Sequence, residues 1–131
     1  MSRAMFHDTI TLYLPSLSGT GYCRRIVSAV KVIETTATVT EGSRATIYIP
    51  LWGRRALPYQ PKNWNEQHGC FTVRPEDYLV CRQETADTPP DDALTVRSVI
   101  CRKSGSRRLW HLEIHADNII QEVSFYAGTD S

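Results

Sequence analysis

The chain has no long hydrophobic run. No stretch of its 131 residues approaches the roughly 18 uninterrupted apolar residues of a membrane span, which argues against a helical membrane protein. The first residues, MSRAMFHDTITLYL, contain no apolar h-region because Asp8, Thr9 and Thr11 interrupt it, so no secretory signal is expected. Helical periodicity is also scarce: only residues 118–126, with Asp117 as a weak N-cap, offer a helix candidate. The four cysteines (Cys23, Cys70, Cys81 and Cys101) form no C-x-x-C pair and fit no zinc spacing. They read as small core or strand residues of a protein made in a reducing cytoplasm. Excess charge of one sign is missing as well. Fifteen basic side chains face fourteen acidic ones, for a net charge of +1, which excludes a strongly basic nucleic-acid binder and an acidic disordered tail.

What remains is a one-domain length with a period of two. Ile10, Leu12 and Leu14 alternate with Thr9, Thr11 and Tyr13, a half-buried strand stopped by Pro15 and a Ser/Gly-rich turn. Residues 24–40 are rich in Val, Ile and Thr, which are stiff at χ1 and pack well on a pleated surface. Ile26, Val30 and Val32 share one face, and Val27, Ala29 and Ile33 the other. The run is too long for one regular strand, so a bulge is expected at 34–36. Further strands are expected at 45–49, 70–73, 78–82 and 94–100, then in a return strand carrying Trp110, Leu112 and Ile114, and at 119–126. Two segments break the rhythm: a loop at 51–69 and an acidic, proline-containing loop at 83–93. The expected fold is all-β: one domain over 1–131, a small antiparallel barrel or curved sandwich of about six to eight strands with long loops.

Catalytic signatures are thin. A Gly-x-Ser-x-Gly elbow is absent, and Gly19-Thr20-Gly21 lacks the lysine and strand-to-helix setting of a phosphate loop. His111, Glu113 and His115 share one face of a strand and have the donor types of a zinc or iron site. Alternate strand positions lie about 7 Å apart, however, too far for all three to reach one ion without a bend. They therefore read as a solvated polar face, and the chain as a non-enzyme with no catalytic residue, cofactor or metal.

Charge placement is more informative. Twelve of the fifteen cations are arginine. Arg102, Lys103, Arg107 and Arg108 crowd a hairpin tip with no acid, while residues 84–92 carry Glu84, Asp87, Asp91 and Asp92 with no cation. Opposed patches on a near-neutral chain suit contacts with copies of itself or with partners, because arginine pairs bidentately across interfaces. Trp52, Tyr59 and Trp64, flanked by Arg54 and Arg55, lie where no strand pattern forces them inside; such side chains often anchor interfaces, and the competing reading is that these aromatics fold back to cap the barrel end. The interface candidates are thus Trp52, Arg54, Arg55, Tyr59, Trp64, Asp87, Asp91 and Asp92. Arg102, Lys103, Arg107 and Arg108 are candidates for an interface or a DNA channel.

Four stretches resemble one family. Met5-Phe-His-Asp-Thr-Ile-Thr-Leu-Tyr13 looks like the opening of small proteins encoded among the head and tail genes of long-tailed bacteriophages. Pro58-Tyr-Gln-Pro-Lys-Asn-Trp64 is similar to their Pro/Trp loop, and residues 71–80, ending Pro-Glu-Asp-Tyr-Leu-Val, to their turn-and-strand segment. Here Pro75-Glu76 stands where a glycine often precedes the aspartate, and Cys81-Arg82 where a glycine often follows the strand. The hairpin 98–115, with Gly105-Ser106 at its tip, resembles their last hairpin. The resemblance implies a head-closure (stopper) or neck protein, a homo-oligomeric ring around the DNA channel at the head–tail interface of the virion, assembled in the host cytoplasm. The implied partners are a portal-side adaptor and a tail tube or tail terminator protein, with non-specific contact to double-stranded DNA and no membrane. Two other readings compete: a small β-barrel nucleic-acid-binding module, and a metal-dependent β-barrel enzyme using His111, Glu113 and His115.

Overall fold

A computed structural model describes residues 6–36, 42–52, 64 and 71–118. Six strands form a closed antiparallel barrel: β1 (Asp8–Pro15), β2 (Tyr22–Thr36), β3 (Ser43–Pro50), β4 (Tyr78–Val80), β5 (Leu94–Arg102) and β6 (His111–Asp117). Their order around the wall is β1-β2-β3-β6-β5-β4, and β4 closes the ring by pairing Leu79 with Leu12 of β1 and with Leu94 of β5. Closure leaves no free sheet edge. The expected all-β fold is thus a barrel rather than an open sandwich, and no α-helix occurs among the described residues.

Alternation fills the interior. Ile10, Leu12 and Leu14 of β1, Ile47 and Ile49 of β3, Leu79 of β4, Val96 of β5, and Leu112 and Ile114 of β6 are buried in one cluster. Each buried aliphatic side chain contributes about 1.5–3 kcal/mol of transfer free energy.

Two bulges reset that alternation. In β2, Asp8 pairs with Val30 but Thr9 with Ser28, so Ala29 is the extra residue, and its φ is +58°. The bulge therefore lies at Ala29, not at 34–36. Its consequence is that Val27 and Val30 both point inward, with Cys23 and Val32 packed against the core, while Ile26 and Ile33 are exposed. The expected faces, which kept one parity along the whole run, were wrong for this reason. The Asp8 carboxylate steadies the site by accepting a hydrogen bond from the Val32 N–H (2.9 Å). In β5 the register shifts between Val96 and Ser98, leaving Arg97 outside; Val99 rather than Ser98 or Ile100 then packs against the core.

Three other expectations change. β1 is buried on both sides, not half-buried: Thr11 and Tyr13 on its outer face are as inaccessible as its core residues. The strand expected at 70–73 is reduced to a single bridge at Phe71, and the one at 78–82 ends at Val80. Phe71, Thr72 and Val73 are nevertheless buried. The turn into β4 explains how a buried carboxylate is tolerated. The Asp77 side chain accepts from the Arg74 N–H (2.8 Å), its carbonyl accepts from the Val96 N–H (2.8 Å), and the Glu76 N–H donates to the Val96 carbonyl (2.8 Å). Burial raises the Asp77 pKa, and hydrogen bonds and charge from Arg74 partly offset the rise. The segments expected at 37–40 and 119–126 lie outside the described residues.

Candidate interaction surfaces

Residues 83–93 form an irregular acidic arm, and the outer wall of β1 and β2 holds it. Thr11 Oγ1 donates to the Arg82 carbonyl (2.7 Å) and accepts from the Glu84 N–H (3.0 Å). The Tyr13 hydroxyl donates to the Ala86 carbonyl (2.9 Å), and Arg24 donates to the Glu84 carbonyl (2.8 Å). These contacts account for the burial of β1's outer face.

Arg82 organises the arm's charge. Its guanidinium donates bidentately to Asp92 (2.8 and 3.1 Å) and, through Nε, to Glu84 (3.1 Å). The Glu84 carboxylate also accepts from the N–H groups of Ala86 and Thr85, and these bonds with Arg82 hold its pKa below the ordinary range. Arg82 does the same for Asp92. Of the four acids in the arm, two are thus satisfied internally. Asp87 and Asp91 are exposed and form no ion pair among the described residues.

The basic tip joins β5 to β6 and is exposed throughout residues 101–109. Ser106 caps a short 3-10 turn, Arg107–Leu109, by accepting from the Arg108 N–H (3.3 Å). This turn gathers cations onto aromatic faces. Lys103 Nζ lies 5.5 Å and the Arg107 guanidinium 5.7 Å from the Trp110 ring centre. Arg108 lies 5.9 Å from the ring of Trp52. Trp52 arrives there because Pro50 of β3 pairs with His111 of β6, which brings the end of β3 beside the tip. Just below, on the outer face, Tyr48 packs against His111 (5.7 Å between centres). Along the chain only Trp110 adjoins these cations; the β3–β6 register, a pairing across more than sixty residues, brings Trp52 and Tyr48 to them.

The roots of the two surfaces lie at opposite ends of β5: the arm leads into the strand at Leu94, and the tip leaves it at Arg102, the last of its nine residues.

The other sequence candidates divide. Trp64 is not a surface anchor: it is 7% exposed and packed in the core cluster, with the Arg25 guanidinium 5.6 Å from its ring. Its burial matches the reading in which this aromatic folds back onto the barrel, although no periodic pattern marks it. Arg54, Arg55 and Tyr59, and most of the 51–69 loop, lie outside the described residues. His111, Glu113 and His115 do not converge. His115 Nε2 and Glu113 share a contact at 2.7 Å, while His111 Nδ1 turns to the Leu109 carbonyl (2.9 Å). Among the described residues no group of three metal-ligating side chains is suited to an ion. Glu113 is held below the ordinary glutamate range chiefly by His115, then by Arg102 (3.6 Å).

At the opposite end of the barrel, a shallow groove is lined by His7, Asp8, Glu34, Cys81 and Arg82. Burial, reinforced by the Glu34 carboxylate, pushes the Cys81 thiol up to about 12, so it is neither a nucleophile nor a ready metal ligand at neutral pH. No helix among the described residues is long and apolar enough to cross a membrane. No known protein family, curated protein or solved structure matches the chain.

Proposed function

We propose that this chain is a non-enzymatic structural component of a long-tailed phage virion. It forms a ring around the DNA channel and joins the head, through a portal-side adaptor, to a tail tube or terminator protein. The observation that carries the reading is the placement of two oppositely charged loops at the two ends of one strand, β5, of a closed barrel. A surface repeated head to tail makes heterologous contacts, and these generate rings when the rotation closes. The barrel fits the role: it is closed on itself, its edges are not available for strand addition, and contacts must come from loops. The four stretches that resemble head-closure proteins support the same reading.

The test is an in vitro joining assay. Filled heads and free tails from a lysate lacking the chain are mixed with the purified protein and counted by electron microscopy. Restoration of joined particles supports the proposal; heads and tails that join equally well without the protein overturn it.

One observation favours a second reading. Cations resting on the rings of exposed Trp52 and half-buried Trp110 also suit contact with nucleic-acid bases and phosphates. Tight, salt-dependent binding of short single strands by the isolated protein would favour a nucleic-acid module instead.

A further inference from the structure

We propose that the acidic arm of one copy docks on the basic, tryptophan-lined tip of the next, with Asp87 and Asp91 meeting Lys103, Arg107 and Arg108, and Pro89-Pro90 packing on Trp52 and Trp110. The inference rests on the ring reading and names the contact that would build the ring.

Three observations carry it. First, the tip's charge is unspent. Lys103, Arg107 and Arg108 form no ion pair among the described residues, and the tip itself contains no acid. The cations are instead laid over indole rings, and Trp52 and Leu109 beside them are 46% and 45% exposed. Such a surface presents cations layered on indole rings, with Trp52 and Leu109 open beside them.

Second, the arm has the complementary chemistry. Asp87 and Asp91 flank two prolines, and both carboxylates are exposed while Glu84 and Asp92 are occupied by Arg82. Proline fixes its own φ, and proline-containing segments dock on aromatic surfaces with little ordering cost. Aspartate supplies the acceptors that an arginine fork pairs with bidentately.

Third, both halves are held in place before contact. The arm is fastened to β1 and β2 by Thr11, Tyr13 and Arg24. The tip is braced by the Ser106 cap and by the Trp110 indole N–H, which donates to the Gly105 carbonyl (3.4 Å). Preorganisation lowers the entropy lost on association. Because the arm leads into the start of β5 and the tip leaves its end, nine residues of extended strand, roughly 25–30 Å, separate their roots, and the contact is between copies.

Two full-length double variants test this by sedimentation velocity at matched concentrations. One carries Arg107→Asp with Arg108→Asp, the other Asp87→Lys with Asp91→Lys. All four side chains are exposed, so both variants should keep the wild-type melting temperature. Each alone should associate with itself about 100-fold more weakly than the wild type. An equimolar mixture should assemble as the wild type does, with the two variants alternating, since the unchanged arm of one meets the unchanged tip of the other and the two reversed surfaces complement each other. A chain carrying all four changes should assemble again.

Wild-type assembly by either double variant, or a mixture that stays monomeric, overturns the docking contact. If the wild type forms rings in that case, the ring reading survives without this interface. A wild type that remains monomeric at every concentration overturns both. Loss of salt-dependent binding to a short DNA duplex by the Arg107→Asp/Arg108→Asp variant, with assembly unchanged, would reassign the tip to nucleic acid.

Discussion

The Thr11 hydroxyl offers a sharp test of how the acidic arm is held. Thr11 is fully buried, although it lies on the outer face of β1. Its hydroxyl donates to one backbone carbonyl of the arm and accepts from one backbone N–H. Thr11→Val keeps the shape and removes both bonds. A buried donor or acceptor left without a partner costs about 1–3 kcal/mol. Two such groups set an upper bound near 6 kcal/mol, but the arm can lift and return both to water. The expected loss is therefore about 2–3 kcal/mol. Thr11→Ser makes the opposite deletion: it keeps both hydrogen bonds and removes one methyl, at about 1 kcal/mol. Urea unfolding of the two variants should thus rank serine above valine. Limited proteolysis should cut within 83–93 faster in the valine variant, because the arm is the element released. A valine variant as stable as the wild type, with an equally resistant arm, would refute the clamp.

Other consequences can be checked separately. Trp64→Ala should cost about 3–5 kcal/mol in chemical denaturation, as large aromatic truncations in cores do; a loss under 1 kcal/mol would return Trp64 to the surface. Glu76 holds a φ of +78° in the turn before β4, closed by the Asp77 N–H donating to the Arg74 carbonyl (3.1 Å). Glu76→Gly should raise stability by about 0.5–1 kcal/mol, since glycine adopts this conformation without strain; a lower melting temperature would contradict the assignment. Alkylation followed by mass spectrometry at pH 8 should label exposed Cys101 at least tenfold faster than Cys81, whose thiol is pushed up to about 12; equal rates would show Cys81 to be accessible and ionised.

Much of the barrel was legible from β-branched alternation. Ile10/Leu12/Leu14 and Leu112/Ile114 point inward as their spacing requires. What escaped were the events that reset a period of two. Ala29 occupies a left-handed conformation that glycine or asparagine would have signalled and alanine conceals. Arg97 sits in an otherwise regular run, and only the pairing with β6 reveals it as the extra residue. The charge of the two loops was readable as composition. Their roles were not: Arg82, just before the acidic run, neutralises half of it, and Trp52 reaches the tip only through the β3–β6 register. Trp64 lacked any periodic neighbours to mark it as interior. A residue packed into the core from a loop obeys volume rather than period.

Cryo-electron microscopy of purified phage particles tests the proposed place of this chain in the virion. Averaging of the head–tail joint should reveal six-stranded barrels of this chain repeated around the DNA channel, each acidic arm against the tip of its neighbour. Joined, infectious particles whose neck contains no copy of this chain, or contains it as isolated monomers, would contradict it.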